Sequence, residues 1–450
     1  MDKALPAARA LEVITPRAQH SISRQQIQPN ALKVLYRLHQ SGYQAYLVGG
    51  GVRDLLLGQQ PKDFDITTDA TPDQVRQLFN NCRLVGRRFR LAHVLFGRDR
   101  VEVATFRAHH TTANEHNAQQ NEQGRLLRDN VYGTIEEDAQ RRDFTINSLY
   151  YNIADFTVHD YTGGLKDLRQ GVIRLIGDAE SRYREDPVRM LRAVRFAAKL
   201  QMPISECTAK PIQNLAPLLL EIPAARLFEE SLKLLQSGCG YATYRLLEHY
   251  HLFTPLFPSM APTLNGPYAH QLKQMLQQAL QSCDQRLATG KTVNPAFLFA
   301  ALLWYPLLTQ VEQQPVSDGV NRYTLFMQEA SKILATQCRS LAIPRRFTIA
   351  MREIWQLQQR LPRCQTARAQ KLQLHPKFRA AFDLLAFRAA IEGGPLIPLV
   401  AWWQEFQQQH PQTHTQQPRA RDNDPSAKRP RTRRRRHTPH TDDPQLHRHR

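Results

Sequence analysis

Asp63-Phe64-Asp65 sets two carboxylates two residues apart, with Ile66 following. On a strand, residues two apart point to the same face. Paired carboxylates repel unless a cation lies between them, and Mg²⁺ (or Mn²⁺) fills that role while also bridging phosphates. Just upstream runs Leu47-Val48-Gly49-Gly50-Gly51-Val52-Arg53-Asp54. Tyr46, Leu47 and Val48 read as the end of a buried strand, and the residues after the glycines as an apolar turn of helix. Glycines at a strand-to-helix turn let backbone N–H groups approach an anion, and a helix N-terminus favours negative charge. Gly49, Gly50 and Arg53 are therefore candidate phosphate ligands. A phosphate cradle, a guanidinium and a metal-binding carboxylate pair suit nucleotidyl transfer.

Two further segments are dense in chemistry. Glu102 lies between Val101 and Val103 and so faces away from both. On a strand beside Asp63 and Asp65 it is a third carboxylate; on an edge strand it is a surface glutamate. Arg141-Arg142-Asp143-Phe144-Thr145-Ile146-Asn147 puts arginines against an aspartate before an apolar run. Arg142 can hold a triphosphate, and Asp143 can orient that arginine or join the metal site; a structural Arg–Asp pair is the plainer alternative. His109 and His110 have no partner at metal-site spacing and read as a solvated loop pair.

The elements that must position these groups are legible in outline. Asn30 to Gly42 carries a helical apolar stripe. Thr71-Pro72-Asp73-Gln74 reads as a capped helix start. Leu84 to Arg107 alternates as strands, and His109 to Gly124 reads as a mobile loop. From Glu185 the pattern is helical: Asp186-Pro187 starts a helix with Met190, Leu191, Val194 and Ala197 on one face and Arg189, Arg192, Arg195 and Lys199 on the other. That basic stripe is either a solvated face or a contact for base and phosphate. Later segments such as Ala224–Leu235, Ala296–Leu308 and Lys377–Ile391 are amphipathic, and the longest apolar run, Ala296 to Tyr305, stops at Pro306 and reads as a buried helix.

The chain has 450 residues and a formal net charge of +20, an excess that points to a polyanionic partner, nucleic acid first. Residues 419–450 hold eleven Lys or Arg against four Asp. Lys428, Arg429, Arg431, Arg433, Arg434, Arg435 and Arg436 make this a disordered basic tail suited to phosphate contact. Six scattered cysteines without Cys-x-x-Cys spacing suit free thiols in a reducing cytoplasm. No apolar h-region and no membrane-spanning run is visible.

Together, the Gly49–Asp54 turn, Asp63-Phe64-Asp65, Arg141–Asn147 and Glu185-Asp186-Pro187-x-Arg189-x-Leu191-Arg192 resemble the class II nucleotidyltransferases of the polymerase-β-like superfamily. Its members are the bacterial poly(A) polymerases and the CCA-adding tRNA nucleotidyltransferases. Ile222-Pro223-x-x-Arg226-x-x-Glu229-Glu230 is similar to the family's neck segment. Leu84 to Val94 and the polybasic tail are similar to the poly(A) polymerases rather than the CCA enzymes. The resemblance implies an α+β nucleotidyltransferase head with a small mixed sheet, followed by an all-α neck and body. Expected boundaries are a flexible arm over 1–28, head 29–175, neck 176–255, RNA-binding body 256–410 and tail 411–450. It implies transfer of AMP from ATP to RNA 3′ ends, with pyrophosphate released, in support of RNA decay and alongside RNA-decay proteins. Asp63 and Asp65 would bind Mg²⁺. Asp143 is placed by the family among the active-site residues, while Glu102 occupies the third-carboxylate strand position of the wider superfamily; the two claims compete. Asp186 and Arg189, with Arg192 beside them, would bind the incoming nucleotide. CCA addition is the alternative activity. A non-catalytic RNA-binding protein would show a damaged carboxylate pair, and Asp63 and Asp65 are intact.

Overall fold

The computed structural model describes residues 12–86, 90–108, 118–120, 126–129, 131–315, 321–362 and 366–411. His109, His110 and the basic tail with Arg429, Arg431 and Arg433 to Arg436 lie outside these residues.

Among the described residues the head holds ten strands: β1 (Val13–Thr15), β2 (Ala45–Val48), β3 (Asp65–Thr68), β4 (Cys82–Val85), β5 (Leu91–Phe96), β6 (Asp99–Thr105), β7 (Ala118–Gln120), β8 (Leu126–Asp129), β9 (Leu149–Asn152) and β10 (Val158–Asp160). Eight form one sheet in the order β1-β10-β9-β2-β3-β6-β5-β4, and β7 and β8 pair separately. Among the described strands of this sheet β3 and β6 are the one parallel pair, Ile66 facing Val103, so the sheet is mixed. The β7/β8 pair falls within and just beyond the stretch read as a loop. Backbone ladders need no apolar side chain, which is why composition concealed it.

Alternation along the strands splits the sheet into two faces. Leu47, Ile66, Val103, Leu149 and Tyr151 face a core closed by α1 (Pro29–Gln40), α2 (Gly50–Leu56) and α3 (Pro72–Leu78). Tyr46, Val48 and Tyr150 face the other way, against Ile135 and Ala139 of α4 (Ile135–Arg141). Local sequence sets these helices. Thr71 and Gln74 form a reciprocal capping box on α3, and Thr134 and Glu137 one on α4.

Two expectations need correction. Residues 12–28 are not a flexible arm: β1 joins the sheet through β10, and Ile22 and Ile27 are buried in the head core. Burying two isoleucines and pairing a strand outweighs the scattered prolines that suggested an extended arm. Pro306 is also no stop, because it sits in the first turn of a second helix, Trp304–Gln313, where no intrahelical N–H bond is needed.

Downstream, α5 (Gly164–Gln170), α6 (Ala179–Glu185) and α7 (Val188–Leu200) lead into the helical neck and body. These share one apolar core that runs from Phe144 and Tyr183 through Phe228 and Phe299 to Trp355 and Trp403. Side-chain bonds to buried carbonyls cross-link it: Trp355 Nε1 donates to Ala300 O at 2.9 Å and Gln337 Nε2 to Leu256 O at 2.7 Å. No described helix is long and apolar enough to cross a membrane.

The turn from β10 into α5 depends on Asp160. Its carboxylate accepts from the backbone N–H groups of Thr162, Gly163, Gly164 and Leu165 at 2.9–3.0 Å, and it is 2% exposed. Asp160→Ala leaves these donors unsatisfied next to the segment that carries Thr145 to Asn147. A loss of about 3 kcal/mol in unfolding free energy is expected, read from urea denaturation followed by circular dichroism.

Candidate active site

Between the second face of the head sheet and the start of the neck lies a cleft of about 410 Å³. Its floor is the parallel β3/β6 pair. Because Ile66 is matched with Val103 in the core, the preceding residues, Asp65 and Glu102, stand side by side on the opposite face. Asp65 opens to solvent, yet protein crowds round it. That loss of water pushes its carboxyl above the ordinary value, Glu102 and Asp63 add to the push, and Arg142 pulls the other way. Asp63 is exposed, two residues before Asp65. Among the described residues neither Asp63 nor Asp65 has an ion-pair partner, whereas Glu102 lies 3.6 Å from His93 and 3.4 Å from Arg100. No three or more His, Cys, Asp or Glu side chains among the described residues are grouped closely enough to cage an ion. The donor set is instead an open array of carboxylate oxygens. It fits a hard divalent cation that keeps waters and takes substrate phosphates as further ligands.

One wall of the cleft is cationic. Arg142 donates through Nε and Nη2 to Asp138 Oδ2 at 3.1 and 2.9 Å, and through Nε to Tyr150 Oη at 2.9 Å. Burial opposes the charge, but Tyr150 and Asp138 outweigh it and raise the arginine's already high proton affinity. Gly49 adopts φ +77°, a conformation that favours glycine, and this turn brings its backbone beside the guanidinium, with the Cβ position 3.8 Å from Arg142 Nη1. At the far end Asp186 accepts from Arg226 Nη2 at 2.7 Å, and Arg189 is held by Glu185 at 2.8 Å and by Arg182 O at 2.7 Å. Asp186, Arg189 and Arg226 all line the cleft.

Several residues expected at phosphate or metal hold the site from behind instead. Arg53 is 2% exposed and is committed to Asp54, 2.6 Å from Nη2, and to Asn147 Oδ1. Gly50 faces that guanidinium, 3.4 Å from its Cβ position. Asp143 does not orient Arg142, whose carboxylate partner is Asp138. Asp143 accepts from Arg192 Nε at 2.6 Å and from the Phe144 N–H at 2.8 Å. Burial favours the neutral acid, but Arg192, that N–H and Asn147 overcome it and hold the Asp143 carboxyl below its usual range. The basic stripe of α7 is therefore no solvated face: Arg192 pairs with Asp143, and Lys199 lies 3.9 Å from Asp54.

Asp138, Tyr150 and Arg182 escaped the sequence reading as site residues, and Arg226 was noted only as part of a neck segment. Asp138 had a readable signal, since it precedes Arg142 by four residues, a spacing that lets helical side chains meet. Arg182, which donates to Arg141 O and Arg142 O at 2.7 Å each, had none.

Asp143 and Arg192 give a prediction in stability rather than chemistry. A carboxyl held low in the folded state contributes stability above its unfolded value, and that stability is lost as pH falls through the folded value. Arg192→Ala is expected to cost about 2 kcal/mol at pH 7, toward the low end for a buried pair because Arg192 is 36% exposed. Melting temperature followed from pH 7 downward should show the wild type losing its advantage over the variant below about pH 4.

The described family "Poly A polymerase head domain" matches residues 45–174, "Probable RNA and SrmB- binding site of polymerase A" matches 201–264, and "Polymerase A arginine-rich C-terminus" matches 318–438. Poly(A) polymerase I of Salmonella typhimurium is 59% identical over 437 residues, covering 96% of this chain and 94% of that one. The CCA-adding enzyme of Lactobacillus helveticus is 38% identical over 204 residues, 45% of this chain and 49% of that one. Among solved structures, the Bacillus stearothermophilus CCA-adding enzyme in complex with CTP has a TM-score of 0.56 at 26% identity, covering 85% of this chain and 83% of that one. The sequence match to the Lactobacillus helveticus CCA-adding enzyme spans 45% of the chain, whereas that to the polymerase spans 96% and runs through head, neck and body: the chain belongs to the poly(A) polymerase I family.

Proposed function

We propose that the chain extends RNA 3′ ends with AMP drawn from ATP, without a template. The 3′-hydroxyl oxygen bonds to the α-phosphorus, the bond from that phosphorus to the bridging oxygen breaks, and pyrophosphate departs. The observation that carries this reading is the meeting of Asp65 and Glu102 on one cleft floor, opposite Arg142 and the Asp186–Arg226 pair, in a chain of this family.

Divalent cations held by Asp63, Asp65 and Glu102 would supply charge to the attacking and leaving oxygens. Of the two competing third carboxylates, Glu102 is the better placed, because it lines the cleft beside Asp65, whereas Asp143 is paired with Arg192 behind the wall. Arg142, braced by Asp138 and Tyr150, receives the triphosphate beside Gly49. Asp186, braced by Arg226, receives the base, with Arg189 next to it. Arg53, Gly50 and Arg192 act as positioning groups for this wall. RNA-decay proteins as further partners, and a cytoplasmic location, complete the reading; the five described cysteines are free, as a reducing compartment favours.

ATP alone, and then CTP plus ATP, supplied with a generic RNA and with a tRNA lacking its 3′ end, tests the activity. Long AMP tracts on generic RNA support polyadenylation; completion of the tRNA end alone would replace it with CCA addition.

Asp63→Ala and Asp65→Ala should each lower AMP transfer at least about a thousandfold while RNA affinity stays near normal, since loss of a metal removes several kcal/mol of transition-state stabilisation. Glu102→Gln should lose activity that excess Mg²⁺ or Mn²⁺ partly restores. Near-normal rates in the aspartate variants would refute the site. Arg226→Ala should raise KM for ATP about tenfold and weaken discrimination against CTP, with a smaller change in kcat, because Asp186 loses its brace; steady-state kinetics with each nucleotide decides.

A further inference from the structure

Three body helices, Ala269–Ala288, Pro295–Leu302 and Phe378–Glu392, enclose a second cavity of about 400 Å³ that shares no lining residue with the cleft. Its existence follows from residue size. Ala279, Ser282, Ala380 and Ala386 are small at positions where facing helices otherwise interdigitate. Two half-buried aromatics line it, Phe297 and Phe387, with ring centroids 5.9 Å apart and planes at 56°.

The charged groups of the cavity are mostly cationic: Arg286, Lys377 and Arg379 against Asp383. Arg379 lies 3.1 Å from Asp383, and Arg286 donates to Thr292 O at 3.3 Å, so each uses only part of its guanidinium. Lys377 has no ion pair among the described residues. Burial pushes the Asp383 carboxyl above its usual range, with Arg379 and Arg286 drawing it back. Burial likewise pushes the Cys283 thiol up to about 11, so it is a neutral wall group and no nucleophile.

We propose that this cavity takes one nucleotide of single-stranded RNA upstream of the 3′ end. The base lies against Phe297 or Phe387, and the backbone phosphate meets Lys377 and Arg379. The inference rests on the reading of RNA as substrate. Aromatic faces beside backbone-tracking cations are how single strands are held without sequence reading, and the volume suits a nucleoside. An apolar peptide would leave Lys377 without a counter-charge and the remaining guanidinium donors of Arg379 and Arg286 unused. Asp383 can accept from an exocyclic amine, so adenine and cytosine are favoured over uracil.

The test measures affinities of the full-length protein for oligo(A) of three to fifteen nucleotides. In the wild type, affinity steps up once the oligomer reaches the body. In Phe387→Ala, and separately in Arg379→Ala, that length-dependent gain should shrink about tenfold, the scale of one lost stacking or phosphate contact. Circular dichroism checks that the variants fold. Photocrosslinking of the wild type to a fifteen-mer with one thio-substituted base should label residues 294–298 or 376–387, a result that needs no variant. An undiminished gain in folded variants, or crosslinks confined to other segments, overturns the proposal. So does AMP alone competing as well as the long oligomer, which would make the cavity a free-nucleotide site. AMP transfer to the same oligomers is followed in parallel. Its absence would refute the polymerase reading while leaving the length dependence of binding readable.

Discussion

The site depends on a chain of charge-assisted hydrogen bonds across the seam between head and neck. Asp54 holds Arg53, Arg53 reaches Asn147, Asn147 donates to Asp143, and Asp143 accepts from Arg192 of α7. Lys199, two turns further along the same helix, closes back toward Asp54. Its central members are largely withdrawn from water, where an ion pair is strong only if every partner is present. The chain therefore fixes the glycine turn and the Arg142 segment against a single neck helix. Arg182 adds a second clamp by capping the carbonyls of Arg141 and Arg142. A guanidinium is suited to this work, because its planar fork bonds two acceptors at once and it stays charged when buried.

With the seam fixed, the cleft acquires opposed electrostatics. Its floor holds adjacent carboxylates, Asp65 beside Glu102, and its wall holds Arg142 in a bed of Asp138 and Tyr150. Repulsion on the floor favours cations, and the wall favours phosphate. Two strands laid parallel in register are enough to produce the first. The turn at Gly49, whose positive φ brings the chain beside Arg142, permits the second. Phe196 ties the two regions together: the guanidinium carbons of Arg53 and Arg192 lie 5.3 and 5.7 Å from its ring centroid, so one aromatic ring supports charges from both sides of the seam.

The sequence by itself determined what short-range geometry controls. The Gly49 turn, the capping box at Thr71 and Gln74 and the face of α7 that carries Met190 and Val194 are set by local backbone geometry and by bonds within one helical turn. Four motifs in order were also enough to indicate the family. Only the tertiary structure decided which charges meet. It put Glu102 beside Asp65 from a strand 37 positions away, gave Arg142 to Asp138 and Asp143 to Arg192, and turned Arg53 from a phosphate ligand into a buried brace. Likewise, β1 with Ile22 and Ile27 became part of the head because the sheet edge and core offered them burial. The physical reason is the same in each case. Residue type fixes what a side chain can do, but its partner depends on which groups lose water together, and that is a property of the packed chain.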